Sequence, residues 1–220
     1  MTRTPRQNPP ATAGDLALLA LVRAIAANDA ADAERLLAAS PALARIQLVA
    51  GATRQDATTY YFDDINHYLY AGDTALHAAA VAYRSDIARE LIAMGADVRA
   101  RNRRGAEPLH YAADGAPGSR AWNPEAQAAT VTCLIAAGAD PNATDRSGVT
   151  PLARAVRTRC AAAVKALLDN GADLQGKNKN GSTPMQLATR NTGRGGSGSP
   201  EAKAQQAEIV LLLKWHGAVR

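Results

Sequence analysis

Aromatic residues are scarce. The chain holds two Trp, six Tyr and one Phe among 220 residues. An all-β sandwich or barrel draws its core from Val, Ile, Tyr and Trp, so this composition disfavours one. Long apolar runs are missing too: the longest, residues 16–22, is seven residues, against the ~20 needed for a membrane-spanning helix. Only two cysteines occur, Cys133 and Cys160, which gives neither a disulfide framework nor a metal-ligand spacing and suits reduced thiols in a cytoplasmic setting. The formal charge is a modest +5. With Arg3 and Arg6 in the N-terminal tail, about +3 remains for the body, too little to imply wholesale polyanion binding.

What is abundant is alanine, 51 of 220 residues. A core of Ala and Leu requires helices that approach closely, and at this length one or two folding units are expected. Arg3 and Arg6 before residues 16–22 imitate a secretory leader. The segment reads instead as mature sequence, because Asp15 and Arg23 bracket a short apolar stretch that also fits a helix of the fold.

The chain is internally repetitive. Gly95-Ala96-Asp97, Gly138-Ala139-Asp140 and Gly171-Ala172-Asp173 each follow a Leu/Ile-rich segment, and about ten residues later another glycine opens a Thr-Pro-Leu-like string. These strings are Gly72-Asp73-Thr74-Ala75-Leu76-His77, Gly105-Ala106-Glu107-Pro108-Leu109-His110, Gly148-Val149-Thr150-Pro151-Leu152 and Gly181-Ser182-Thr183-Pro184-Met185. Thr74, Thr150 and Thr183 are placed as N-caps, with Pro108, Pro151 and Pro184 at the first helical position, where a missing N–H costs nothing. Gly95, Gly138 and Gly171 are placed as left-handed C-terminal caps.

On these motifs the sequence resembles the ankyrin repeat family, in which a β-turn and two antiparallel helices recur every ~33 residues. The resemblance implies an all-α solenoid of about five helix-turn-helix units with β-turn fingers. The expected organisation is a flexible tail over 1–13 and one domain over 14–220, with units near 14–42, 72–104, 105–147, 148–180 and 181–220. Departures from the period mark insertions near 43–71, 115–124 and 192–205. In this family the Thr-Pro-Leu-His imidazole links adjacent turns, which the resemblance assigns to His77 and His110. Ala153 and Gln186 replace it in later units, and there the linking role is in doubt.

The first insertion holds Tyr60, Tyr61, Phe62, Tyr68 and Tyr70, five of the nine aromatics. Alternation across 45–49 and 67–70 suggests the strands of an elongated hairpin. Its rings either meet a partner, as Tyr often does, or cover the Ala/Leu face of the first unit. Asp63, Asp64 and His67 in the same segment are too few ligands for a metal site and read as turn residues. Arg99, Arg101, Arg103 and Arg104 crowd one turn, Lys177 and Lys179 another, and Arg154, Arg157 and Arg159 lie on or after a first helix; together they either line the concave side with positive charge or form a solvated surface that keeps an Ala-rich array soluble. Residues 193–199 lack the ending of a phosphate-binding loop and read as a flexible connector. Trp122 either packs beneath the helices or stands out as a contact. Neither cysteine has the neighbours of a catalytic nucleophile.

The function expected is a non-enzymatic protein-interaction module, monomeric, without cofactor or metal, contacting another protein through Tyr60, Tyr61, Phe62, Tyr68, Tyr70, Arg101, Arg103, Arg104, Arg154 and Arg157. The alternatives are a polyanion or nucleic-acid binder using the basic fingers, and a metal-dependent enzyme centred on the first insertion.

Overall fold

The computed structural model describes residues 9–189 and 199–217. The expected flexible tail (through residue 8) and glycine-rich connector (193–198) lie outside the described residues.

The described residues form ten α-helices in antiparallel pairs: α1 (Ala13–Ala26) with α2 (Ala30–Ala39), α3 (Ala75–Val81) with α4 (Ser85–Ala93), α5 (Pro108–Ala112) with α6 (Pro124–Ala136), α7 (Pro151–Thr158) with α8 (Ala161–Asp169), and α9 (Pro184–Thr189) with α10 (Pro200–Trp215). Helices α1, α3, α5, α7 and α9 stack in one layer, and α4, α6, α8 and α10 in the other. Residues 200–205, assigned from sequence to the last insertion, are the first turns of α10.

Each pair begins and ends on residues that satisfy its free backbone groups. Thr74 accepts from the His77 N–H, Thr150 from Ala153 at 3.1 Å and Thr183 from Gln186 at 3.3 Å. Gly95, Gly138 and Gly171 leave their helices at φ of +91°, +100° and +83°, where a side chain would be strained. The fingers stack closely: a Cβ on Gly72 would lie 2.7 Å from the Asn102 Cα. The Arg103 N–H thereby reaches the Ala71 carbonyl (2.7 Å), Arg146 reaches Arg104 (2.9 Å) and Lys179 reaches Ser147 (3.3 Å), a ladder of one bond per turn.

The core is continuous along the array. Ala78, Ala79 and Ala80 let α3 lie close to its neighbours, with Leu76, Leu109 and Leu152 filling equivalent sites; all six are fully buried. At the N-terminal end Leu37 is buried and Leu36 half-buried, and at the C-terminal end Leu211 and Trp215 stay exposed on α10.

The first insertion folds down onto the array. Its strands are β1 (Tyr61–Phe62) and β2 (His67–Tyr68), antiparallel, with Tyr61 opposite Tyr68. Residues 45–49 are not the partner of 67–70, because a 3-10 turn (Pro41–Ala44) carries the chain into Arg45 and Leu48 pairs instead with Gly72 and Asp73. Leu69 lies between two segments, donating to Tyr60 (2.9 Å) and accepting from Ala52 (2.7 Å). It is fully buried with Tyr60, Phe62 and Ile65, so the insertion adds its own lobe to the core.

Candidate interaction groove

Buried polar side chains fasten the first insertion at both ends. At one end, Asp15 near the start of α1 accepts from Thr12 (2.9 and 3.0 Å) and from the Val49 N–H (2.7 Å). Burial alone would raise its carboxyl, but these bonds hold it below the ordinary value. At the other end Asp73 accepts from the Tyr70 N–H (2.7 Å), Asn102 Nδ2 (2.8 Å) and the Tyr111 hydroxyl (2.7 Å).

The same neighbourhood holds the two histidines of the repeated strings. The Thr74 N–H donates to His77 Nδ1 (3.2 Å) and the Glu107 N–H to His110 Nδ1 (3.1 Å). Each ring therefore carries its proton on Nε2, which faces a carbonyl of the next turn: Ala106 for His77 (3.2 Å) and Val149 for His110 (3.0 Å). In α9, Gln186 Oε1 takes over the Nδ1 duty by accepting from Thr183 N–H (3.0 Å). His77 and His110 tie turn to turn, while Gln186 bonds within its own turn.

Above this frame runs a groove of about 1070 Å³. Residues 64–67 of the first insertion form one wall, and residues 115–116 and 119–123 of the second insertion form the other. The C-terminal end of α3 and Arg154, Arg157 and Thr158 of α7 lie between them, with Arg103, Arg104 and Arg146 at the finger edge. Two insertions from opposite edges of the array thus face one another.

Both walls are held in place. His67 packs edge-on against Tyr111, with ring centroids 4.7 Å apart. Burial holds its imidazole below the ordinary value, against the pull of Asp114 and Asp73, so the ring is neutral at pH 7. Across the groove the Tyr83 hydroxyl donates to the Asp114 carbonyl (2.6 Å). Trp122 Nε1 donates to Gln127 Oε1 (2.9 Å), and Gln127 Nε2 donates to the Ala112 and Asp114 carbonyls (both 3.0 Å). Trp122 is half-buried, packed against the core while also lining the groove.

The family models described as ankyrin repeats (3 copies) and ankyrin repeats (many copies) match residues 21–120 and residues 134–188. The chain is an ankyrin repeat protein. The comparison with curated proteins gives no match. Ankyrin repeats are generally protein-protein interaction modules.

In this ankyrin repeat protein the expected contact residues divide by environment. Tyr60 is 2% and Phe62 7% exposed, and both serve the core of the insertion rather than a partner surface. Tyr68 is exposed and stacks on half-buried Tyr61 at 4.7 Å. Half-buried Tyr70 lies beneath Arg104, 4.1 Å from its ring centroid, with Arg103 5.2 Å away. Arg101 pairs with buried Glu107 at 3.0 Å, and Arg154 with Asp114 (3.4 Å) and Asp145 (3.3 Å), so both are committed within the protein. Arg159 is buried at the end of α7, and Arg157 is exposed in the groove.

Sequence reasoning did not reach Arg84, Arg146, Asp114 and Asp145, which occupy turns and carry no motif of their own. The repeat register separates them, with Arg84 and Asp114 after first helices and Asp145 and Arg146 in a finger, and that register was the available signal. Asp63 and Asp64 are exposed in a 3-10 turn (Asp63–Ile65). Among the described residues no three His, Cys, Asp or Glu side chains gather as a metal site. Burial pushes the Cys160 thiol up to about 11 and raises that of Cys133, so neither is a thiolate at neutral pH. No helix among the described residues is long and apolar enough to cross a membrane.

Proposed function

We propose that this ankyrin repeat protein is a non-enzymatic, monomeric, cytoplasmic interaction module whose protein partner seats in the groove between the two insertions. One observation carries the reading: segments that break the repeat at opposite edges face each other across one concave surface, each fastened by buried hydrogen bonds. Walls fixed before binding lower the ordering cost of association. Tyr68 and Tyr61 offer a second contact at the outer side of the first insertion, while Tyr60 and Phe62 support it from within.

The test uses photo-crosslinking residues placed singly at Ser119 and Arg157 in the groove and at Lys165 and Glu208 on the outer helices. Crosslinks to a common partner from the groove positions alone are the expected result. Crosslinks from the outer positions alone would overturn the assignment.

A further inference from the structure

Resting on the groove as the docking site, we propose that its occupant is an acidic segment of the partner protein, whose carboxylates are taken by Arg84, Arg120, Arg146 and Arg157. Seven arginines and three aspartates line the groove, a surplus of four positive charges, while the whole chain has a formal charge of only +5. The charge is therefore concentrated here. On the outer helices the second hollow has Arg89 and Lys165 balanced by Glu125 and Asp169.

The aspartates engage few of these arginines. Arg154 alone bridges Asp114 and Asp145, and Asp64 stands exposed on the wall. Arg103 donates to the Ala52 carbonyl, and Arg104 covers Tyr70. The side chains of Arg84, Arg120, Arg146 and Arg157 have no hydrogen bond or ion pair among the described residues, and Arg84 Nε is a buried donor with no acceptor. Arginine forks receive carboxylates with two parallel bonds.

The occupant's class follows from what else the groove offers. At about 1070 Å³ it lies at the upper end of the range for a small ligand, ~300–1,000 Å³, and has room for a length of chain. Single-stranded nucleic acid would need open ring faces for stacking. Here Tyr111 is buried, Tyr70 is covered by Arg104, and Trp122 is the one aromatic other than His67 and Tyr83 on the lining. Ile65 and Trp122 on facing walls leave an apolar place for a residue between the acidic ones.

The test is fluorescence anisotropy with three labelled probes: a short peptide alternating Glu and Asp around a central Leu, its Gln/Asn counterpart, and a single-stranded oligonucleotide of equal charge. The acidic peptide should bind and its counterpart should not. The R120A/R146A/R157A variant should weaken acidic-peptide binding by about tenfold or more with an unchanged melting temperature, since all three side chains are exposed. The R89A/K177A/K203A variant, which loses the same charge elsewhere, should retain it. No binding of the acidic peptide, equal binding of its neutral counterpart, or equal weakening by both triple variants would overturn the proposal. Tighter binding of the oligonucleotide with the same arginine dependence would reassign the groove to nucleic acid. A partner crosslinked from Ser119 and Arg157 while the acidic peptide fails would leave the docking site standing and remove only the acidic occupant.

Discussion

The Tyr111 hydroxyl donates at 2.7 Å to the carboxylate of Asp73, 38 positions earlier in the chain. Tyr111 belongs to the inner helix of the third unit and Asp73 to the turn that closes the first insertion. The bond therefore joins an inserted segment to a repeat beyond the one it precedes.

Because Asp73 is fully buried and also holds Tyr70 and Asn102, its removal strands three donors at once. Asp73→Ala is expected to lower unfolding free energy by about 3 kcal/mol or more, and Tyr111→Phe by about 1–3 kcal/mol. Urea denaturation of both variants checks the order. A neutral Asp73→Ala would mean that the insertion is held by other contacts.

Acid should loosen the array through His110. Burial first, and then Arg154, pushes its imidazole down to about 4 from an ordinary value of 6.5. The folded state thus favours the neutral ring. Its stabilisation is complete above pH 6.5 and is lost as pH falls from 6.5 through about 4, a total near 3 kcal/mol. His110→Gln keeps an acceptor for the Glu107 N–H, as Gln186 does for Thr183, and should show a shallower fall over that window in denaturation curves.

In the first unit the burial of adjacent leucines differs. Leu37 is 1% exposed and Leu36 is only half-buried. Leu37→Ala should cost about 2–5 kcal/mol, and Leu36→Ala distinctly less, measured by chemical denaturation. Equal losses would place both side chains in the stacked interface.

Gly115 opens the second insertion where no side chain fits. A Cβ there would lie 2.7 Å from Tyr83 Oη, 2.8 Å from Cys160 Sγ and 3.1 Å from Trp122 Cδ1. Gly115→Ala should cost about 1–3 kcal/mol and speed limited proteolysis within residues 115–124. Unchanged cleavage would show that the wall absorbs a methyl group.

The tyrosines of the first insertion should separate by assay. Tyr60→Ala removes a buried ring and should lower stability by about 3–5 kcal/mol. Tyr68→Ala should leave the melting temperature near that of the parent and weaken partner binding, by 2 kcal/mol or more (order of magnitude) where it anchors the contact. A Tyr68 variant that melts early yet binds normally once folded would assign it a covering role.

The repeat was legible because its signals are local. Thr150 and Pro151 fix a helix start through residues three apart at most, and Gly171 ends the next helix by its own backbone conformation. The first insertion was legible only as an aromatic cluster. Whether Tyr60 or Tyr68 points inward depends on Leu69 being sandwiched between Tyr60 and Ala52, a pairing set by distant chain. Alternation over 45–49 suggested a strand that the 3-10 turn before it displaced. The groove was least legible, since its walls come from segments some fifty positions apart that meet only in the folded array. Basic residues could be counted in the sequence, but Arg154 and Arg157, three apart on one helix, differ in whether a carboxylate is waiting.

A simple solenoid shares load only between neighbours, so tension would peel it one unit at a time from either end. The first insertion alters that mechanics. His67 rests on Tyr111, Tyr111 holds Asp73, and Arg103 reaches back to the Ala52 carbonyl, which laces the first three units into one block. Pulled from its two ends, the molecule would yield first at α9 and α10 and then resist. The first three units would give way together in a single larger step, whereas the groove would lose Arg154, Arg157 and Thr158 earlier, when α7 peels away.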